Sequence, residues 1–177
     1  MAKEEEHSIH KFPSKERVVK KGEILQRSGD QARKAYYVKK GLLRSYTIDE
    51  KGKEHIFIFA PEDWYISDID ADMNHNAADL FMDAVEDSVV LEFDRSDVDF
   101  DNIDIHQVDL KKLVKRVAVL QKRVIMLMSA TAQERYEDFL QTYPSIVQRA
   151  PQRMIASYLG ITPEALSKIR GIMAKKK

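Results

Sequence analysis

Near the C-terminal end, "TPEALSKIR" (Thr162–Arg170) sets Pro163, Glu164, Ser167 and Lys168 three and four positions apart. On a helix that spacing gathers them on one side, free to point outward. Their chemistry suits the edges of nucleic-acid bases. An ammonium donates to guanine O6 and N7, and a carboxylate accepts from cytosine N4. Arg149, Gln152, Arg153, Thr162 and Arg170, with the tail Lys175–Lys177, are donors better matched to phosphate oxygens.

Other groupings of reactive residues point to less. Asp68, Asp70, Asp72 and Asn74 alternate as in a calcium loop, but Met73 stands where glycine is needed and Asp79 where a bidentate glutamate is needed. An acidic surface loop is expected there, with no metal. His55, His75 and His106 have no ligand spacing. Cysteine is absent, which excludes disulfides, thiolate zinc or iron–sulfur sites and a cysteine nucleophile. No nucleophile, phosphate loop or metal motif supports an enzyme.

The residues around the opening stretch form a frame for it. A helix-turn-helix needs a small residue in its first helix, a turn residue tolerant of positive φ, and apolar residues that lock the helices together. Ala156, Gly160 and Leu166 fill these places, and Ile155, Leu159, Ile161 and Ile169 complete a small core. Thr162 is an N-cap, Pro163 suits the first helical position, and Glu164 favours a helix start.

The elements that must carry this frame differ between the two halves of the chain. From Phe12 to Phe93, short β-branched and aromatic runs recur about every ten residues with glycine at the corners, as in an antiparallel sandwich or barrel. "DEKGKE" is a hairpin loop with Gly52 available for positive φ, Ile56–Phe59 follows, and Pro61 closes it. From about Ile103 to Ser129 a long helix is expected. Leu110, Leu113, Val117, Leu120, Val124 and Leu127 alternate spacings of three and four, as a two-chain seam does. An intramolecular core helix gives the same signal. Val114, Ala118, Val119, Ile125, Met126 and Met128 widen the apolar surface, so this helix should pack on two things at once, a partner helix and its own β domain. A further helix carries Ala132, Tyr136, Phe139, Leu140 and Tyr143 on one face and stops at Pro144.

The 177 residues carry no net charge, yet residues 1–109 sum to −10 and residues 110–177 to +10. A basic part facing a polyanion and an acidic part repelled from it would divide this way. The start of the chain lacks an apolar run, and no stretch approaches the ~18 apolar residues of a membrane span, so a cytoplasmic protein is expected.

In this order the parts resemble the cyclic-AMP receptor/Fnr (Crp/Fnr) family of bacterial transcription factors. "KKGEILQRSGD", "AYYVKKGLLRSYTIDEKGKEHIFIFAPEDW" and "AVEDSVVLEFDRSD" carry the likeness in the β half. "ERYEDFLQTYP" and "PQRMIASYLGITPEALSKIR" carry it in the helical half, where it looks like Bacteroidetes-type members. The resemblance implies an α+β chain: an antiparallel, cyclic-nucleotide-binding-like β-roll over 1–102, a dimerisation helix over 103–130 and a helix-turn-helix domain over 131–177. It implies double-stranded DNA, a second copy of the chain and RNA polymerase as partners, and no membrane.

Two departures from the family pattern stand out. Members that bind cyclic nucleotides carry Gly-Glu and then Arg with Ser or Thr to hold the ribose and phosphate. Here the first site reads Tyr65-Ile66-Ser67-Asp68, and "NHNAADLFMDA" (Asn74–Ala84) contains no base. No cyclic nucleotide, haem or iron–sulfur cofactor is therefore expected. The sequence also runs only eight residues past Ile169, so a helix-turn-helix domain lacking a full wing is expected. The alternative is a ligand- or protein-binding β-roll module whose helix-turn-helix is vestigial.

Overall fold

The computed structural model describes residues 13–31, 34–95 and 110–175. Two four-stranded sheets form from the β-branched and aromatic runs. In the first, the strand order is β1 (Ser14–Val19), β8 (Ser88–Asp94), β3 (Lys34–Lys40) and β6 (Tyr65–Ile66). The second has β2 (Ile24–Gln26), β7 (Phe81–Ala84), β4 (Leu43–Ile48) and β5 (Glu54–Ala60), so β5 lies at an edge. Strand β8 is antiparallel to both its neighbours, with Val90 opposite Arg17 on β1 and opposite Val38 on β3. Alternation sets which side chains go inward. Val19 is fully buried while Val18 is exposed, and Tyr36, Val38, Leu42, Leu43, Met82 and Val90 fill the interior.

Helices follow. The six-residue α1 (Ile69–Asn74) interrupts the β half, and α2 (Leu110–Ser129), α3 (Ala132–Thr142), α4 (Pro144–Arg149), α5 (Gln152–Tyr158) and α6 (Pro163–Ala174) make up the rest. Thr131 and Glu134 cap α3 reciprocally in a capping box. Pro144, expected to stop α3, also opens α4, where its missing N–H costs nothing. The expected start of the long helix near Ile103, and His106, Lys176 and Lys177, lie outside the described residues.

The chain divides into two compact units that no single cut separates. One holds Met1–Ser45 and Phe59–Lys115, the other Tyr46–Ile58 and Arg116–Lys177. The outer part of the β4–β5 hairpin thus belongs with the helices.

One expectation needs correcting. Much of the Asp68–Asp79 segment lies at the surface as expected, but it is not all loop and not all exposed. It contains α1, and Asp68 and Asp72 are buried. Both carboxylates have partners that the linear sequence does not reveal, described below.

Candidate nucleic-acid interface

Helices α5 and α6 build the helix-turn-helix from local rules. The Gly160 and Ile161 N–H groups donate to the Ser157 and Ala156 carbonyls at 3.0 Å each, closing α5 in a Schellman turn. Gly160 takes φ +67° there, a left-handed conformation that costs a residue with a Cβ about 1–2 kcal/mol. The Thr162 hydroxyl accepts from the Ala165 N–H at 3.2 Å, and Pro163 begins α6. Ile155, Ala156, Leu159 and Leu166 are buried between the helices.

That packing leaves the other side of α6 outward. Pro163, Glu164, Ser167, Lys168 and Arg170 are exposed, as are Gln152 and Arg153 on α5, while Arg149 on α4 is half-buried. The Glu164 carboxylate is held below its ordinary value, first by a backbone N–H and then by the Thr162 hydroxyl, so it stays an ionised acceptor at the helix start. Thr162 therefore has its hydroxyl engaged in the cap, whatever else it meets.

The same unit contains contacts that sequence reading missed. Ser157, on α5, donates its hydroxyl to the Glu54 carbonyl at 2.7 Å and accepts from the Ile56 N–H at 3.0 Å. Arg123 of α2 donates to the carbonyls of Phe57, of Ile56 at 2.9 Å and of Tyr158 at 3.1 Å. Its guanidinium lies 4.0 Å from the Tyr158 ring centroid, a cation–π contact. Burial lowers its pKa, with partial compensation from Tyr158 and Tyr143. Tyr158 meets Phe139 and Tyr143 at centroid distances of 5.3 and 6.1 Å. The helix-turn-helix is thereby tied to the hairpin tip and to α2. Arg123 reads in sequence only as one of several bases off an apolar seam, and Ser157 and Glu54 are 103 residues apart.

On α2, Leu110, Leu113, Val117, Val124 and Leu127 are exposed and Leu120 is half-buried. Val114, Ile125 and Met128, outside the expected seam, are exposed too, Met128 at 82%. The helix therefore presents a broad apolar face, wider than two lines.

In the β unit, Asp68 aims its carboxylate at backbone N–H groups. One oxygen accepts from Asp79 and Leu80 at 2.9 Å each, and the other from Ala71 at 3.4 Å. Arg95 reaches Asp72 at 3.1 Å and donates to the Ser67 hydroxyl at 3.3 Å. Arg44 grips Asp83 with two bonds of 2.7 and 2.8 Å, both side chains being buried. The acidic segment has countercharges after all. They come from either side of it in sequence, and each is matched to a carboxylate of the chain itself.

Comparison with known proteins agrees with this architecture. Residues 16–100 match the cyclic nucleotide-binding domain family. Regulatory protein HlyX of Actinobacillus pleuropneumoniae is 29% identical over 89% of this chain and 70% of its own length. The FixK2 structure from Bradyrhizobium japonicum superposes with a TM-score of 0.74 at 22% identity, covering 93% of this chain and 86% of that one. A Crp/Fnr-family transcriptional regulator from Thermus thermophilus gives 0.69 at 16% identity, covering 92% and 87%. In sequence and in fold the chain resembles Crp/Fnr regulators.

Crp/Fnr relatives are transcription regulators rather than enzymes. The α+β order of this chain, an antiparallel β domain followed by helices, is that of these solved structures. Among the described residues, no helix is long and apolar enough to cross a membrane.

Proposed function

We propose that this Crp/Fnr-type regulator, of the Bacteroidetes type, binds double-stranded DNA as a homodimer in the cytoplasm and controls transcription by RNA polymerase without responding to cyclic nucleotides. The observation that carries the reading is the capped, outward N-terminal face of α6, backed by a fully buried Leu166. Pro163, Glu164, Ser167 and Lys168 meet base edges. Arg149, Gln152, Arg153 and Arg170 meet phosphates, with Thr162 at the cap beside them. The exposed apolar face of α2 pairs two copies, so that two recognition helices enter successive major grooves one turn of DNA apart.

The nucleotide-independent part of the proposal rests on Asp68. The two adjacent N–H groups of Asp79 and Leu80 are suited to an anion, and the chain's own carboxylate already occupies them. A phosphate arriving there must displace a buried anion, and Arg44 and Arg95 are both paired.

Footprinting on the genomic site tests the first part. Glu164→Ala and Lys168→Ala should each relax base preference by ~1–3 kcal/mol at the contacted position. Unchanged footprints for both variants refute this choice of reading residues. Calorimetry with cyclic AMP tests the second part, and micromolar binding refutes it.

A further inference from the structure

Beside the helix-turn-helix, within the same compact unit, lies an open cleft of about 370 Å³ between the β4–β5 hairpin tip and the start of α5 and α6. Gly52, Lys53 and Glu54 form one wall, and Arg153, Ser157 and Pro163 are on the other. The walls are held at a set spacing, because Ser157 is hydrogen-bonded to Glu54 and Ile56 and Arg123 to the next carbonyls along β5. Lys53 and Arg153 thus line one cleft, and neither has a carboxylate partner among the described residues. The hairpin's own Asp49 does not serve Lys53 as a counter-ion. Its carboxylate is taken by the backbone N–H groups of Lys51 and Lys53 and by His55. Glu54 is half-buried and has interactions of its own.

Two like charges lining one cleft repel unless an anion lies between them. Pro163, where α6 starts, is on the rim, and the first turn of a twelve-residue helix adds unsatisfied N–H groups and a positive dipole end. We propose that the β4–β5 hairpin tip is part of the duplex-binding surface, with Lys53 and Arg153 together holding a backbone phosphate next to the bases that α6 reads. The proposal rests on the DNA-binding reading and extends it to a strand hairpin some 100 residues upstream of the helix-turn-helix. The hairpin supplies affinity and register, since a phosphate contact carries no base information.

The test uses the full chain, a random-sequence 30-base-pair duplex, and fluorescence anisotropy across a salt series. Each lost phosphate contact lowers the slope of log K against log salt by about 0.9. Lys53→Ala and Arg153→Ala should each reduce the slope by that amount per bound protomer, and Lys53→Glu should weaken low-salt binding further. Lys39→Ala, a lysine of β3 paired with Glu16, is the control and should leave the slope alone. Circular dichroism confirms that the exposed substitutions leave the fold intact. A parent chain with no salt-dependent binding overturns the DNA reading and this proposal with it. A steep parent slope that Arg153→Ala lowers and Lys53→Ala leaves unchanged overturns this proposal alone. The same unchanged slope, with transcription lost in a reconstituted assay, reassigns the hairpin to a protein partner and equally overturns it.

Discussion

Ser157 and Glu54 meet through one hydroxyl, which donates to the Glu54 carbonyl and accepts from the Ile56 N–H two residues along. Strand β5 is the edge of its sheet, and the α5 hydroxyl satisfies it at two positions where a neighbouring strand would have done so. The side chain that covers the edge thereby also fixes where the helix-turn-helix stands against the hairpin.

Ser157→Ala leaves that N–H and that carbonyl without the hydroxyl, at a cost of about 1–3 kcal/mol for stranded polar groups. Urea unfolding should show this loss, and Ser157→Thr, which keeps the hydroxyl, should recover most of it. A change within about 0.5 kcal/mol, the size of an ordinary surface substitution, removes the latch from this account.

Asp68→Ala deprives the Asp79 and Leu80 N–H groups of their acceptor in a half-buried site. Hydrogen exchange at these two amides should accelerate well before global unfolding, and stability should fall by about 1–3 kcal/mol per stranded group. Unaltered protection at both amides means that the carboxylate is not what holds the segment.

Val117→Glu places a charge in the middle of the exposed apolar face of α2. Light scattering after size exclusion should move from dimer to monomer, and the footprint should disappear with it. A parent chain that is monomeric at micromolar concentration refutes the pairing.

Glu92 gives the β unit an acid-sensitive contact. Burial raises its pKa, but hydrogen bonds from Lys34 and Arg17 outweigh burial and hold the carboxylate below its ordinary 4.5. A depressed folded value means that the contribution is fully present above the unfolded value and is lost as pH falls through the folded one. Thermal unfolding of the parent should therefore weaken from just above pH 4.5 downward, and Glu92→Gln should flatten that decline. An equally steep decline in the variant assigns it to other carboxylates, with Asp49 and Asp87 the first to examine.

The strands around Tyr37, Leu43, Ile58 and Val90, the helix-turn-helix and its cap were legible in the sequence. Each depends on neighbours within a few positions: β-branched runs, a positive-φ glycine, and a Thr-Pro helix start. The short strands β6 and β7 and helix α1 are too brief for periodicity to mark. Asp68 read as a solvated acid because its partners are backbone N–H groups 11 and 12 positions away, which composition does not register. The apolar face of α2 was evident from spacing, but which of its residues stay outward was decided by the inward turn of Arg123 toward β5 and Tyr158.

By itself, then, the sequence determined the order of the parts, the polarity of charge and the face of α6 that points outward, since all three follow from local spacing and composition. Only the tertiary structure decided that the tip of a β hairpin stands beside the helix-turn-helix, and that the acidic segment is countered by Arg44 and Arg95. Both arise from contacts between residues far apart in the chain. Their geometry follows from how sheet edges and buried charges are satisfied, and no local pattern encodes it.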